Sequence, residues 1–380
     1  MAKPYRVLHV ISGLHLGGAE TLLYRLATAP DPEFEHEVIC LGDRQWYSAR
    51  LEEHGVQVHH LGITGANFAP RLLRLRKLIR DSGADVVQSW LYIANVLSGL
   101  FARPAGIPVV WSIHASTFEH IGRVSQLCAK VGGRQSRRLA DFVINCSSKS
   151  AGMHAQLGYG AVPNAVIHNG YDPEAFFPDE ASSAAAREEL GIAGDTFLIG
   201  TMARWHAQKD IPNLLRATRL LLDRDLAVKC LLVGGGLDAG NADLRREVEL
   251  AGMQDAVILA GARSNVRDCY RALDLHVLAS SGSEAFPNVV AESMLCGVPN
   301  VVTDVGDSAL MVAETGWVVR PRDSTALSDA IGHAYEEWSR DRSAWQRRRT
   351  AARDRIAERF TFDRMAEAYR DVWRRMASQS

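Results

Sequence analysis

The sequence predicts an α/β protein of two domains, each a doubly wound parallel sheet with helices on both faces. Three observations carry this prediction. Short runs of β-branched residues alternate with amphipathic stretches of helical length, which is the pattern of parallel sheets. The chain has 380 residues, which suits two domains. The alternation pauses once, between 169 and 195, in a stretch of prolines and turn residues that we interpret as the domain boundary.

Each half of the chain supplies its own predicted strands. The first half contributes RVLHVIS, HEVICLG, VQVHHLG, DVVQSW, PVVWSIH, DFVINCS and NAVIHN. The second half contributes TFLIGTM, VKCLLVG, AVILAG, LHVLAS and PNVVTD. Their nearly continuous apolar character places them inside sheets that are covered on both faces. The chain then ends in a helical segment on which Met365, Tyr369 and Trp373 form an apolar stripe.

Composition excludes several classes of protein. Hydrophobic residues make up 47% of the chain and charged residues 23%, as in ordinary globular proteins. No apolar run approaches the roughly 18 residues that span a bilayer, and the apolar stretch near the N-terminus is too short for a signal peptide. The cysteines lack CxxC spacing, so we expect free thiols in a reducing cytoplasm rather than disulfides or a zinc site.

The net charge of −1 hides an uneven distribution. Residues 1–168 hold 17 Lys and Arg against 12 Asp and Glu, residues 169–339 hold 14 against 26, and residues 340–380 hold 12 against 6. If residues 340–380 pack on the first domain, the two basic segments combine there and suit an anionic partner or an anionic membrane. The basic segment PRLLRLRKLIR fits such a membrane surface, although a sheet-covering helix with a solvated basic face is the ordinary alternative. No nucleic-acid motif is present, so no nucleic-acid partner is expected.

Two loops carry groups that suit a phosphate-bearing ligand. Gly17 and Gly18 open a helix after the first strand, where free amides attract phosphate, although the spacing is not that of a dinucleotide fingerprint. Arg204 and Lys209 follow the first strand of the second half, where two cations could bind a diphosphate. A plain tight turn and a solvated surface pair are the alternatives.

The stretch SSGSEAFPNVVAESMLCGVP places two carboxylates around a predicted helix start. We expect Pro287 to be the first helical residue and the helix to end at Cys296 before Gly297. Eight helical residues rise by about 12 Å, so Glu284 and Glu292 are too far apart to act on one bond as in glycosidases. They could instead hold hydroxyls at the two ends of a nucleotide-diphosphate sugar. The alternative is one glutamate stabilised by the helix dipole and one solvated glutamate.

At this point the motifs resemble those of a known family. GGAE, SIH, VIHNGYDPEAFFP, ARWHAQKD, LLVGGG, ILAGARSNV and SEAFPNVVAESMLCGVPNVVTDVGD together resemble family 4 of the retaining glycosyltransferases. The resemblance implies the GT-B fold, in which two Rossmann-like domains face each other across a deep cleft and a C-terminal helix crosses back to the first domain. On this basis we expect an acceptor-side domain at 1–168, a nucleotide-sugar domain at 169–360, and a returning helix at 361–380.

The resemblance also implies roles for the donor-binding residues. Glu284 would hold a hydroxyl of the donor sugar, Glu292 would bind the ribose hydroxyls, and Arg204 and Lys209 would neutralise the leaving diphosphate. The backbone of four residues would line the sugar and phosphates: Phe286, Pro287, Asn288 and Val289.

The remaining implied roles fall on three more loops. Gly17 and Gly18 would cover the phosphates from the first domain, and Arg263 would lie at the nucleotide base. His114 would approach the transferred sugar. Members of the family often have an acidic residue after this histidine, and here it is Ala115.

Metal and cofactor are not expected, since the GT-B fold usually needs no bound metal and the DxD at 223–225 reads as a helix-to-strand turn. The predicted function is therefore a retaining glycosyltransferase of cell-surface polysaccharide or glycolipid synthesis. It would move a sugar from a nucleotide-diphosphate sugar to a sugar or lipid-linked saccharide. We expect it in the cytoplasm, with peripheral contact at the inner membrane face. The alternatives are a nucleotide-sugar epimerase, a phosphorylase, or a nucleotide-sugar-binding protein without catalysis.

Overall fold

The structure, a computed structural model, describes residues 3–115, 122–282 and 284–379. The chain forms two compact units. The first unit contains residues 1–169 and 363–380, and the second contains residues 170–362. Nowhere in the described ranges is there a helix long and apolar enough to cross a membrane.

The first unit is built on a parallel sheet of seven strands in the order β3-β2-β1-β4-β5-β6-β7. Its strands are β1 (Tyr5–Ile11), β2 (Phe34–Cys40), β3 (Gln57–His60), β4 (Val86–Trp90), β5 (Val109–Ile113), β6 (Phe142–Asn145) and β7 (Asn164–Val166). Its helices are α1 (Gly18–Thr28), α2 (Trp46–Glu53), α3 (Phe68–Asp81), α4 (Tyr92–Ala102), α5 (Arg123–Leu139) and α6 (Ser148–Gln156), with short 3₁₀ turns at Arg103–Ala105 and Tyr159–Ala161. Helices α3, α4 and α5 pack side by side.

The last helix of the chain packs on the first unit through its aromatic stripe. Three stripe residues of α15 (Phe362–Ala377), Met365, Tyr369 and Trp373, are buried. The Trp373 indole N–H donates to Oε1 of Gln88 in the sheet at 3.0 Å, and Arg374 forms an ion pair with Glu33 at 2.7 Å. The apolar stripe therefore covers part of the first unit.

The second unit repeats the architecture with six parallel strands in the order β10-β9-β8-β11-β12-β13. Its strands are β8 (Phe197–Met202), β9 (Val228–Val233), β10 (Val257–Gly261), β11 (Leu275–Leu278), β12 (Asn300–Thr303) and β13 (Trp317–Val319). Its helices are α7 (Glu180–Glu189), α8 (Ile211–Leu222), α9 (Ala242–Leu250), α10 (Val266–Ala272), α11 (Asn288–Leu295), α12 (Ser308–Val312), α13 (Ser324–Arg340) and α14 (Arg342–Arg359), with 3₁₀ turns at Ala207–Lys209 and Ala313–Thr315.

The structure confirms the predicted fold class and corrects two details. The sequence did not reveal β13, a strand of only three residues at the sheet edge. The basic helix α14 belongs to the second unit, where it packs against α11 and α13, so the basic segment 340–380 is divided between the units. The first unit consequently holds 21 Lys and Arg against 15 Asp and Glu, and the second holds 22 against 29. The first unit is still net basic and the second net acidic, but the difference is smaller than the sequence segments suggested.

Candidate functional site

The main cluster of predicted site residues lies where the strand order of the second sheet reverses. Strands β8 and β11 are neighbours, although two other strands separate them in sequence. In doubly wound sheets, ligands bind outside the carboxyl ends of the strands at such a reversal. Lys209 follows β8 and Glu284 follows β11, so the topology brings these two loops together.

Backbone contacts fix the positions of these loops. The Trp205 amide N–H donates to the Gly235 carbonyl at 2.8 Å, and the Ser281 amide N–H donates to the Gln208 carbonyl at 2.8 Å. Gly234 has φ of +136°, and a Cβ there would lie 1.8 Å from the Ala203 carbonyl oxygen. Only glycine therefore allows the loops after β8 and β9 to approach this closely.

Lys209 and Glu284 form an ion pair in the centre of this cluster. The Lys209 Nζ to Glu284 Oε1 distance is 2.5 Å, and the two side chains are 23% and 13% exposed. The Ser280 hydroxyl donates to the same carboxylate oxygen at 2.8 Å. Charge-assisted hydrogen bonds of this kind are stronger than neutral ones, so the lysine and the carboxylate hold each other in place.

The main chain that carries Glu284 rests on a second loop. Gly306 has φ of +51°, and a Cβ there would lie 2.3 Å from the Glu284 carbonyl oxygen and 2.5 Å from that of Ala285. The Asp307 amide N–H donates to the Ala285 carbonyl at 2.9 Å. Sequence reasoning quoted this glycine in a motif but did not identify its role. That role depends on a contact between loops that the sequence pattern does not show.

Arg204 differs from Lys209 in having no partner. Its side chain is exposed, and it makes no hydrogen bond or ion pair with any residue in the described ranges. The candidate site thus contains one cation held by a carboxylate and one cation whose hydrogen-bonding capacity is unused within those ranges. A planar guanidinium with free donors suits bidentate contact with a phosphate.

Helix α11 begins one residue later than predicted. Pro287 adopts extended backbone angles as the residue before the helix, and Asn288 is the first helical residue. Phe286 is buried and stacks on Tyr171, with ring centroids 6.3 Å apart. The Tyr171 hydroxyl donates to Oδ1 of Asn288 at 2.9 Å. The predicted donor-lining segment from Phe286 to Val289 is therefore anchored on an aromatic cluster of the same unit.

Glu292 is held by a residue that sequence reasoning missed. The Tyr270 hydroxyl, on α10, donates to Oε2 of Glu292 at 2.8 Å. Burial raises the pKa of Glu292, while the hydrogen bond from Tyr270 lowers it. Tyr270 thus favours the ionised carboxylate in a desolvated position. A single tyrosine in a short helix gives no sequence signal for this role.

Arg263 follows β10, and its guanidinium makes two contacts. It pairs with Glu189 at 2.5 Å and donates from Nε to the Ala260 carbonyl at 3.2 Å. The side chains are 32% and 55% exposed, so the pair is accessible to solvent and easily rearranged. The assignment of Arg263 to a nucleotide base remains a prediction.

In the first unit, Gly17 and Gly18 lie at the start of α1, after the first strand. A Cβ at Gly17 would lie 2.4 Å from the Glu20 carboxylate, whereas one at Gly18 would have open space. Glu20 is buried, pairs with His15 at 3.2 Å, and has a pKa raised by burial. This carboxylate lies at the helix start where a phosphate was predicted. The predicted phosphate contact therefore has an anionic neighbour that sequence reasoning did not consider.

His114 follows β5 in the first unit. Its ring stacks on Trp90 with centroids 5.5 Å apart. Burial lowers its pKa to about 4, so the imidazole is neutral at neutral pH. Its Nε2 is buried and has no hydrogen-bond partner among the described residues. His114 and the Lys209–Glu284 pair belong to different units.

No metal-binding group was found among the described residues, since no three His, Cys, Asp or Glu side chains come together there. Asp223 in the DxD segment accepts from Arg219, one turn earlier on α8, at 2.7 Å. Asp225 has φ of +58°, typical of a turn. The segment has the turn conformation that the sequence predicted.

Comparisons with known proteins agree with this architecture. Residues 16–175 match the family described as Glycosyltransferase Family 4, and residues 196–337 match the family described as Glycosyl transferases group 1. The putative glycosyltransferase EpsF of Bacillus subtilis is 25% identical over 377 residues, covering 93% of this chain and 92% of EpsF. The UDP-Gal:alpha-D-GlcNAc-diphosphoundecaprenol alpha-1,3-galactosyltransferase of Escherichia coli is 23% identical over 273 residues, which is 68% of each chain.

A solved structure shows the same fold over nearly the whole chain. HepE of Anabaena, in complex with UDP, superimposes with a TM-score of 0.83 at 22% identity, covering 97% of this chain and 99% of HepE. HepE has also been solved with UDP-glucose. The two-unit architecture is thus shared with a protein that binds a nucleotide sugar.

Proposed function

The chain belongs to glycosyltransferase family 4, and from this we propose that it is a retaining enzyme that transfers a hexose from a UDP-hexose to a lipid-linked saccharide. The donor is supported by HepE, which was solved with UDP and UDP-glucose. The acceptor is supported by the Escherichia coli relative, whose name specifies a saccharide on diphosphoundecaprenol. Cell-surface glycan synthesis is the corresponding process.

The observation that carries the proposal is the Lys209–Glu284 pair beside the unpartnered Arg204. Transfer releases a diphosphate, so negative charge grows on the leaving group. Lys209 and Arg204 supply positive charge at the position proposed for this group, and Glu284 accepts a hydrogen bond from a hydroxyl of the sugar. Because the lysine is already held at 2.5 Å from Glu284, little reorganisation is required during the reaction.

Glu292 and Tyr270 account for recognition of the ribose. Glu284 lies in the loop before α11 and Glu292 lies one turn into that helix, so we assign the two carboxylates to opposite ends of the nucleotide sugar. The Tyr270 hydroxyl occupies one carboxylate oxygen at 2.8 Å and leaves the other for ribose hydroxyls. Tyr270 is therefore a positioning residue, and Glu292 is the group that contacts the donor.

In this proposal, the anomeric configuration of the donor sugar is retained because the reaction follows a front-face path. The acceptor oxygen attacks the anomeric carbon on the face from which the diphosphate departs. The bond from that carbon to the diphosphate breaks, the bond to the acceptor oxygen forms, and the departing phosphate oxygen takes the acceptor proton. The protein contributes positioning and charge stabilisation.

The first unit presents a surface that fits an anionic membrane. We define the α3–α5 surface as the exposed side of helices α3 and α5. On α5, Val124 and Leu127 are 64% and 62% exposed, and the helix has no acidic residue. On α3, Leu73 is 67% exposed. The exposed cations around them are Arg74, Arg76, Lys77, Arg80, Arg123, Lys130, Arg134, Arg137 and Arg138.

Apolar side chains surrounded by cations are the pattern of interfacial helices. Each nearby Lys or Arg contributes about 1 kcal/mol of attraction to an anionic membrane surface. Membrane contact through the α3–α5 surface would bring the enzyme to a lipid-linked acceptor. The sequence had indicated only α3, and the structure adds the longer basic helix α5 on the other side of α4.

The activity is tested by incubating the protein with UDP-glucose or UDP-galactose and a synthetic polyprenyl-diphosphate saccharide, followed by NMR of the product. The proposal expects a new glycoside with the anomeric configuration of the donor. An inverted product contradicts the retaining mechanism. An isomerised nucleotide sugar without transfer indicates an epimerase, a requirement for inorganic phosphate indicates a phosphorylase, and UDP binding without turnover indicates a binding protein.

The membrane part is tested by co-sedimentation with vesicles that contain anionic lipid. We expect the protein to pellet with these vesicles at low salt and the Val124→Ser/Leu127→Ser variant to remain in solution. Leu250→Ser is the matched control, because Leu250 is 78% exposed but lies in the second unit. Equal pelleting of all three proteins, or no preference for anionic over neutral vesicles, would show that the α3–α5 surface does not bind membranes.

A further inference from the structure

A cavity of about 320 Å³ lies within the second unit and includes none of the candidate donor-binding side chains. Its walls are the first turns of α7, Arg271 at the end of α10, Cys296 and Gly297 after α11, and one side of α14. Four arginines line it: Arg187, Arg271, Arg349 and Arg353. The partners of these arginines show which of them are available to a ligand.

Two of the four arginines are fully engaged with the protein. Arg187 pairs with Asp274 at 3.0 Å and donates to the Thr196 carbonyl at 2.7 Å. Arg271 pairs with Asp268 at 2.9 Å and donates to the Phe177 carbonyl at 2.9 Å. These arginines hold the cavity wall together.

The two arginines on α14 have no carboxylate partner within the described ranges. Arg353 donates to three backbone carbonyls, those of Pro173, Phe176 and Leu295. Arg349 makes no hydrogen bond or ion-pair contact with any described residue; burial lowers the pKa of its guanidinium, and the charges of Asp274 and Glu180 act on this pKa in the opposite direction. A partly buried guanidinium without a partner is costly, and such groups are normally paired.

Arg349 lies on a face of α14 that carries two further side chains with unused donors. Gln346, Arg349, Thr350 and Arg353 follow the spacing of one helix face and all line the cavity. The side chains of Gln346 and Thr350, like that of Arg349, make no hydrogen bond with any part of the chain that the structure describes. One wall therefore offers a guanidinium, an amide and a hydroxyl to a small acceptor-rich ligand.

Two acidic residues also line the cavity, and they differ in availability. Asp179 is engaged at the start of α7, where it accepts from the Ala181 and Ser182 amides and from the Ser182 hydroxyl at 2.7 Å. Glu180 is exposed and has no such partner among the described residues. The negative charge of Glu180 repels an anion. Removal of Glu180 should therefore strengthen anion binding, whereas removal of Arg349 should weaken it.

We propose that this cavity binds a phosphate group, either inorganic phosphate or the monoester of a small metabolite, through Arg349 with Thr350 and Gln346. Phosphate matches the fork of an arginine and accepts several hydrogen bonds at once. The volume lies at the lower end of the range of about 300–1,000 Å³ for small-molecule sites, which suits a small ligand. This binding does not depend on the proposed transfer reaction.

Thermal unfolding of the full chain with increasing inorganic phosphate or glucose 6-phosphate tests the proposal, with sodium chloride at matched ionic strength as the reference. Because a ligand that binds the native state raises its stability, we expect a saturable rise in Tm for the wild type. Arg349→Gln should lose this rise, and Glu180→Gln should reach it at lower phosphate concentration. Arg347→Gln is the matched control, since Arg347 is exposed on the same helix and does not line the cavity.

Phosphate could also bind at the proposed diphosphate position, so Lys209→Ala is included. The Tm rise should persist in Lys209→Ala, which separates the two positions. A lower half-saturating concentration for the monoester than for inorganic phosphate would identify a metabolite, and the reverse order would identify free phosphate. An unchanged response in Arg349→Gln, or no saturable response with either probe, would overturn the proposal.

Discussion

The two units share a topology but use their polar residues differently. In the second unit, several predicted site side chains are held by a partner, as in the pairs Lys209–Glu284 and Tyr270–Glu292. In the first unit, the buried polar side chains are mostly those of serine, asparagine and glutamine, with His9 and His154 among them, and most of the charge lies on exposed side chains. Each sheet reverses its strand order once, at β8 and β11 or at β1 and β4. The difference in chemistry therefore comes from the loops and outer helices and not from the sheet.

This comparison suggests a division of labour. A set of oriented carboxylates and cations suits a ligand with fixed hydroxyls and phosphates, which is the nucleotide sugar in our proposal. A basic and apolar outer surface suits a variable, anionic, membrane-bound acceptor. Variants in each unit test this division of labour.

The largest expected effect is on turnover in Lys209→Ala. Loss of one group that stabilises transition-state charge typically costs about 10²–10³ in rate, and we expect a loss of kcat in this range. Arg216→Ala is the control, because Arg216 is an exposed cation on the neighbouring helix α8. Near-normal turnover of Lys209→Ala would show that the ion pair with Glu284 is only structural.

The next effect concerns the pH dependence of stability, to which the histidines packed together in the first unit contribute. The Trp90 indole N–H donates to Nδ1 of His9, so we assign the His9 proton to Nε2, which lies 3.0 Å from Nδ1 of His36. Burial lowers the pKa of His36 to about 4 and that of His9 well below its usual value. Both are therefore neutral when folded and bind protons more readily when unfolded.

The direction in which stability changes with pH follows from these lowered pKa values. Between the ordinary histidine pKa near 6.5 and about 4, the unfolded state binds more protons, so stability is lost as pH falls through this window. The shift of His36 corresponds to about 3 kcal/mol at full extent. Urea unfolding at pH 7 and pH 5 should show a smaller pH dependence in His36→Gln than in the wild type. Exposed His333 of the second unit serves as the control in His333→Gln, which should behave like the wild type.

A smaller effect is expected for Tyr270→Phe. A hydrogen bond to a charged group contributes about 1.5–3 kcal/mol, so the donor KM should rise by roughly tenfold or more with kcat little changed. Because the Tyr270 hydroxyl lowers the pKa of Glu292, its loss should also move the acid limb of donor binding to higher pH. Tyr335→Phe is the control, since Tyr335 is a partly buried tyrosine of the same unit away from Glu292.

The two readouts of Tyr270→Phe separate positioning from packing. A purely structural role would lower stability without moving the pH profile of donor binding. A fall in kcat at unchanged KM would instead place Glu292 near the bond that breaks and reverse the roles proposed for the two glutamates.

The smallest effect is expected for Arg263→Gln. Its exposed ion pair with Glu189 contributes at most about 1 kcal/mol to stability, so unfolding should change little. If Arg263 contacts the base, calorimetry should show a several-fold loss of UDP affinity. Unchanged UDP affinity would remove Arg263 from the donor site.

The sequence predicted the fold better than the contacts within the site. Periodicity located β8 and β11, but it carries no information on strand order, which brings Lys209 and Glu284 together across 75 positions. For the same reason, the sequence did not reveal the role of Tyr270, whose partner Glu292 lies on another helix. The predicted domain bounds placed α14 in the second unit, but the conditional grouping of the charges of residues 340–380 with the first unit did not hold, because a run of basic residues does not show which surface its few apolar residues cover. Local signals such as the proline before α11 predicted the start of this helix to within one residue.

The central claim is that Glu292 of the second unit contacts the donor nucleotide and that His114 of the first unit does not. Calorimetry of UDP with the full chain tests this claim most directly in two variants, Glu292→Gln and His114→Ala. The account predicts that UDP affinity falls by roughly tenfold or more in Glu292→Gln, on the scale of a lost hydrogen bond to a charge, and stays at the wild-type value in His114→Ala. Wild-type affinity in Glu292→Gln together with a loss in His114→Ala would contradict the division of labour between the two units.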